Sequence, residues 1–191
     1  MRAQLRVELA NTVPLVWRVV IVPHDIRLDR LHEVIQCLFE WDDAHLHAFE
    51  KDKTIYEPPN PESDDMFGAF QARRVEDERK FKLDALLTAP RQTLVYTYDF
   101  GDDWDHKLKL IKLLPDEAPK AKRIAVCIEG ANAAPPEDCG GPGGFERLKE
   151  IIADPKHPER AEMTEWYGMG DFDATKCDIE AINDDLKRIK V

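Results

Sequence analysis

Apolar and polar residues alternate near the start of the chain. Leu5, Val7 and Leu9 are separated by Arg6 and Glu8, which predicts a strand with one buried face. After a turn at 11–14, residues 16–22 are rich in β-branched side chains and predict a second strand. The period then changes: Leu31, Val34, Ile35, Leu38 and Phe39 share one helical face, with Asp29 as N-cap and Trp41-Asp42-Asp43 as the stop. Residues 45–49 alternate again and pair with 53–56 through a turn at Lys51-Asp52. The stretch 57–70 is acidic, carries Pro58, Pro59 and Pro61, and reads as a solvated loop. A strand end at 82–83 and a helical turn at 84–87 follow. Residues 93–99 and 104–113 predict a strand pair flanking Gly101, and 124–128 another strand. Helices are expected at 145–153, 158–167 and 177–189, the last with Ile179, Ile182, Leu186 and Ile189 on its apolar face.

These elements give an α+β fold, a single domain over 1–191 with a mainly antiparallel sheet packed against helices, the C-terminal ones within 145–191. The best candidate hinge is 114–122, but neither flank would close a core alone. Trp17, Phe39, Tyr98 and Trp104 are the aromatic side chains expected to fill that core.

Composition narrows the function classes. The chain has 191 residues with 38 acidic and 27 basic side chains, a formal net charge of −11. That balance leaves no dominant basic surface, so tight binding to duplex DNA is not expected. The local basic groups are offset or split: Glu76, Asp77 and Glu78 interrupt Arg73, Arg74, Lys80 and Lys82. Along the next strand Lys107 and Lys109 share a face, while Lys112 is expected on the other. The apolar run 15–22 is broken by Arg18 and too short to span a bilayer, and the N-terminal residues lack the apolar core of a signal peptide. Cys37, Cys127, Cys139 and Cys177 form no CxxC pair, so reduced thiols and a cytoplasmic location are expected. Cys127 and Cys139 are placed to meet across the loop between them.

Three stretches carry candidate chemistry. Residues 98–106 hold four aspartates and a histidine in nine positions. They read either as a hard-cation site or as a Gly-containing turn whose Asp side chains cap backbone N–H groups. His45 and His47 lie two apart and hence on one strand face. Their ring nitrogens suit a divalent metal ion, with Asp102 and His106 completing the ligands; the simpler alternative turns both to solvent, with Leu46 and Ala48 inward. The third stretch, 135–144, is a rigid Pro- and Gly-rich turn, since Glu137 and Asp138 would repel a phosphate and no phosphate-loop lysine follows. Asp99, Trp104, Asp138, Gly140 and Gly141 would line a cleft shared by these stretches. His47, Asp102, His106 and Glu137 are expected on one side of the sheet within it.

Together, 41–49, 98–106, 135–141 with Gly144-Phe145-Glu146, and the closing pattern Asp171-Phe172-Asp173 with 182–186 resemble the Ri-plasmid open-reading-frame-three proteins. The resemblance runs from about Leu5 to Leu186. It implies an intracellular α+β protein, often plasmid- or transposon-borne, with no established activity. Relatives commonly carry a cysteine before the Pro-Pro-Glu-Asp stretch, where this chain has Ala134. Some such proteins are labelled resolvase-like, but this chain holds one serine, Ser63, in an acidic loop, and no Arg-rich cluster accompanies Tyr96 or Tyr98. Recombination by this chain alone is rejected. Two functions remain. One is a non-catalytic binding or accessory module, taking a protein or small-molecule partner. The other is a metal-dependent hydrolase with Asp103 or Glu137 as general base.

Overall fold

The computed structural model describes residues 1–59, 74–115, 125–168 and 172–190. Eight strands form one sheet in the order β5-β4-β3-β6-β7-β1-β2-β8, antiparallel throughout except for the parallel pair β4–β5. In chain order the strands are β1 (Arg2–Leu9), β2 (Val16–Pro23), β3 (His47–Lys51), β4 (Thr54–Glu57), β5 (Arg74–Asp77), β6 (Thr93–Tyr98), β7 (Trp104–Leu114) and β8 (Val126–Ala131). Five helices accompany them: α1 (Leu28–Phe39), α2 (Leu83–Leu86), α3 (Gly141–Ala153), α4 (Arg160–Trp166) and α5 (Ile179–Leu186). The expected single α+β architecture is therefore the observed one.

Period-2 alternation decides which side chains reach the core. Leu5, Val7 and Leu9 of β1, Leu94, Tyr96 and Tyr98 of β6, and Trp104, His106, Leu108 and Leu110 of β7 point inward and are buried. Helix α1 covers that face with Leu28, Leu31, Val34, Ile35, Leu38 and Phe39. Val95, Asp105, Lys107 and Lys109 point the other way and are exposed. A register shift opposite Gln4 and Leu5 brings Lys112 level with Gln4. Contrary to the alternation, Lys112 therefore joins Lys107 and Lys109 on the outer face.

Several expectations need correcting. Asp29 is not the N-cap of α1; Arg27 holds that position without a side-chain cap. Asp29 lies in the first turn, taking a bond from Arg27 Nε at 2.9 Å, where its charge meets the positive end of the helix dipole. Trp17 is not a core residue: it lies on the outer face, with the Arg6 guanidinium 3.9 Å from its ring centroid. The turn joining β3 to β4 is Asp52-Lys53, both at positive φ. Helix α3 starts at Gly141, four residues ahead of the expected Phe145. Strand β5 was not foreseen, because Arg-Val-Glu-Asp at a sheet edge shows no apolar alternation. Cys127 does not meet Cys139; it lies beside Arg18 and Cys177. Residues 60–70 of the acidic loop, 116–122 of the hinge, and Arg73, Ile124 and Asp171 lie outside the described residues.

Two buried polar groups tie the layers together. Arg18, fully buried on β2, donates from Nε to the Leu38 carbonyl at 3.0 Å, placing a cation at the C-terminal end of α1. Asn183 of α5 exchanges bonds with the Cys127 backbone at 2.8 and 2.9 Å, locking that helix to β8. Trp104 is 1% exposed among these layers. Trp104→Ala should lower unfolding free energy by about 3–5 kcal/mol. Urea titration of both proteins measures it, and an unchanged midpoint would place the indole outside the core.

Candidate functional site

The last residue of β6, Tyr98, points inward and is fully buried. A phenol there must satisfy its hydroxyl inside the protein. It accepts from the backbone N–H of Ala44 at 2.9 Å and of His45 at 3.2 Å, and donates to Glu137 Oε1 at 3.0 Å. Burial first, then Glu137, pushes its pKa upward, so the hydroxyl keeps its proton. Glu137 also accepts from Asp42 N–H at 3.0 Å, and Trp41 donates from Nε1 to the Pro135 carbonyl at 2.8 Å. The segment after α1 and the Gly-rich turn are thus fastened over the end of β6.

His45 stands where these segments meet. Its Nε2 lies 3.1 Å from Asp138 Oδ1, 3.5 Å from Glu137 Oε2 and 3.8 Å from Asp99 Oδ2. That nitrogen is shut off from solvent, yet makes no hydrogen bond. Asp99 sits at φ 54° and accepts from Gly101 N–H at 2.9 Å; Asp102 accepts from Gly140 N–H at 3.0 Å. The Asp-rich turn therefore does cap backbone, as its composition predicts. Asp102 is committed to the entrance of α3 rather than to a ligand set. Asp103 is exposed on the turn.

The four sequence-nominated metal ligands do not gather round one point. Among the described residues, the groups able to hold an ion are His45 with Asp99 and Asp138, and His32 with Asp43 and His47. His47 and His106 do share the inner face of the sheet, but His106 is enclosed by Phe39, Trp41 and Tyr96. It bonds the Trp104 carbonyl through Nδ1 at 2.9 Å. Trp104 is part of the core rather than the wall of an open cleft. Gly141 lies at φ 67°, where a Cβ would come 2.6 Å from the Asp102 carbonyl oxygen, so glycine lets the two turns touch.

The alternative that turned His45 and His47 to solvent also fails. Leu46 is 67% exposed, whereas His47 is buried and stacks on His32 with ring centroids 3.5 Å apart. His47 Nε2 lies 3.0 Å from Glu78 Oε2, and both side chains are buried. His32 Nε2 lies 2.9 Å from Asp43 Oδ1, which leaves its Nδ1 to accept from the Tyr96 hydroxyl at 2.8 Å. Gln36 closes the loop, donating from Nε2 to the Tyr96 hydroxyl at 3.1 Å and accepting from Asp43 N–H at 2.9 Å. His32, Gln36, Asp43 and Glu78 had escaped sequence reasoning. The available signal was His32 and Gln36 at i and i+4, inside the apolar stripe of α1.

Burial, helped by neighbouring His47, lowers the pKa of His32 from 6.5 to about 4, and burial lowers His106 to about 3. As pH falls from 6.5 towards 4, the unfolded chain takes up protons that these folded imidazoles refuse. Each group should therefore cost roughly 1.4 kcal/mol of stability per pH unit in that window. Urea midpoints between about pH 7 and pH 4.5 test this against the His32→Gln variant, which should show a shallower decline. Parallel profiles would show that His32 does not titrate as described.

Residues 1–181 match the family model described as plasmid pRiA4b ORF-3-like protein. The chain is 36% identical over 186 residues to the uncharacterized protein y4hQ of Sinorhizobium fredii (strain NBRC 101917 / NGR234), covering 96% of this chain and 91% of that protein. The crystal structure of MM3350, a protein of unknown function from Methanosarcina mazei Go1, has a similar fold. Its TM-score is 0.78 at 30% identity, over 94% of this chain and 96% of MM3350.

Proposed function

The chain belongs to the plasmid pRiA4b ORF-3-like family, and we propose that it is a non-catalytic, cation-dependent binding module serving plasmids or mobile elements in the cytoplasm. The observation that carries this reading is the His45 Nε2 atom, buried and unbonded, with three carboxylates from two different turns within 3.8 Å. Three carboxylates around one imidazole leave excess negative charge in a partly desolvated pocket, which a divalent ion relieves. One nitrogen and up to three oxygens suit manganese or a similar borderline-hard ion. Asp138, 70% exposed at its side chain, forms the open side, where a protein or small-molecule partner would complete the coordination through a carboxylate or phosphate oxygen.

Glu137 is better placed to hold structure than to abstract protons. Oε1 already accepts from Tyr98 and Asp42, so it is engaged in joining the two turns. Asp103 stands outside the His45 group. Both points support binding over hydrolysis. No helix among the described residues is long and apolar enough to cross a membrane.

Titration of the protein with Mn2+, followed by electron paramagnetic resonance, should show one saturable site. Asp138→Asn should weaken it at least about tenfold, since it removes one charged ligand. Affinity unchanged in that variant would overturn the assignment. Hydrolysis of a generic phosphodiester or ester by the manganese-loaded protein, lost in Glu137→Gln, would replace the module by a metal-dependent hydrolase.

Duplex DNA is not the proposed partner. Lys107, Lys109 and Lys112 share a face with Glu8 and Asp105. Arg74, Arg79, Lys80 and Lys82 are paired with Glu76, Asp77, Asp77 and Asp25. A fluorescence titration with generic duplex at about 150 mM salt should show no sub-micromolar binding. Such binding would restore a nucleic-acid role.

A further inference from the structure

The buried cluster beneath α1 has a chemistry of its own, independent of the His45 pocket. Four segments converge there: His32 from α1, Asp43 from the loop after it, His47 from the start of β3, and Glu78 from the 3-10 turn Glu78–Lys80. His32, His47 and Glu78 are only 6%, 6% and 4% exposed at their side chains, while Asp43 is 58% exposed and forms the rim. One ligand atom from each of His32, Asp43 and His47 lies within 4.8 Å of the other two, and Glu78 Oε2 is 3.0 Å from His47 Nε2.

Charge is what makes this arrangement unusual for a core. Two carboxylates face two imidazoles whose ring centroids are 3.5 Å apart and nearly parallel, at 6°. The two carboxylates bring formal negative charge to the cluster, and Glu78 is buried within it. A divalent cation would balance both carboxylates and turn the stacked pair from neighbours into ligands.

We propose that His32, Asp43 and His47, with Glu78 bonded to His47, form a buried transition-metal site, taking zinc or a similar late first-row ion. Two imidazole nitrogens with carboxylate oxygens are the donor set such ions select, whereas calcium and magnesium prefer oxygen alone. The supporting shell is in place. Tyr96 Oη lies 2.8 Å from His32 Nδ1 and is itself held by Gln36 Nε2 at 3.1 Å. Loading Nε2 would displace its proton to Nδ1 and reverse the bond to Tyr96 Oη, which would then accept from the imidazole and hold the ring. The ion enters past Asp43, whose carboxylate is the accessible member of the set.

The test uses the full-length chain carrying His45→Ala, which removes the imidazole of the other pocket. Titration with Co2+ should give one equivalent of intense visible bands from a low-coordinate ion, displaced by Zn2+. Adding Asp43→Asn keeps a hydrogen-bond acceptor for His32 but removes the charge, and should weaken cobalt binding at least about tenfold while the apo protein keeps its circular dichroism. Adding His47→Gln instead should abolish the bands. Cobalt that gives only the weak spectrum of the hydrated ion, or an affinity unmoved by Asp43→Asn, would overturn the site. Failure here leaves the manganese result at the His45 pocket untouched, because no ligand is shared.

Discussion

The Tyr98 hydroxyl is the junction on which the upper end of this molecule depends. It is a polar group at the terminus of a central strand, fully buried, and its one donor and two acceptor positions are all used. Its partners are two backbone amides from the segment after α1 and a carboxylate from the turn before α3. Neither segment has regular structure of its own to hold it there. The Trp41 ring stacks on Tyr98 at 4.9 Å and bonds Pro135, so an apolar contact and a second polar clamp reinforce the same join. Losing the hydroxyl would strand the Ala44 and His45 amides and free Glu137, undoing the placement of His45 among the carboxylates.

That junction explains why aspartate and glycine crowd the surrounding turns. Asp43, Asp99, Asp103 and Asp138 all adopt positive φ, a conformation that Asp tolerates better than most residues because its short side chain bonds nearby backbone. At Gly144 a Cβ would sit 1.8 Å from the Cys139 carbonyl oxygen, so the first turn of α3 can fold back only with glycine there. The acidic groups thus have two uses. Asp99 and Asp102 stabilise turns through backbone N–H groups, and the geometry they set leaves Asp138 on the rim beside His45. Composition alone cannot separate these uses, because an Asp-rich turn reads the same in either case.

Much of the fold was legible because alternation fixes which residues share a face. Strands β1, β2, β6 and β7 and the apolar stripe of α1 were readable on that ground. What alternation cannot fix is which face is covered. His45 and His47 were read as sharing one side of a strand, but β3 begins only at His47, and it is the packing of α1 against β6 and β3 that turns His47 inward. The same ambiguity misplaced Trp17, whose β-branched neighbours on β2 made the whole run look buried. Lys112 was assigned to the wrong face because a bulge is one residue of register that no hydropathy pattern records. Of the candidate site, Glu137, Asp138, Asp99 and His45 were nominated from sequence. His32, Asp43 and Glu78 were not, since each is an ordinary residue for its element until the tertiary fold brings it to His47.

The polar ring through Gln36, Tyr96, His32 and Asp43 is not what a search for stability alone would select. Each hydrogen bond in it contributes only about 1 kcal/mol net, because the unfolded chain bonds the same groups to water. A core of leucine and phenylalanine at these positions would fill the space without risking an unsatisfied donor. The ring nevertheless runs from the exposed rim at Asp43 into the helix–sheet interface, whose core includes the buried Leu31, Ile35, Phe39 and Phe49. It closes on itself, so each member fixes the rotamer of the next, and the outcome is a His32 imidazole held in one orientation. Fixed ring orientation adds little to a hydrophobic core but is what a directional ligand requires. The arrangement is therefore more economically understood as orientation of the His32 ring for a directional partner than as packing.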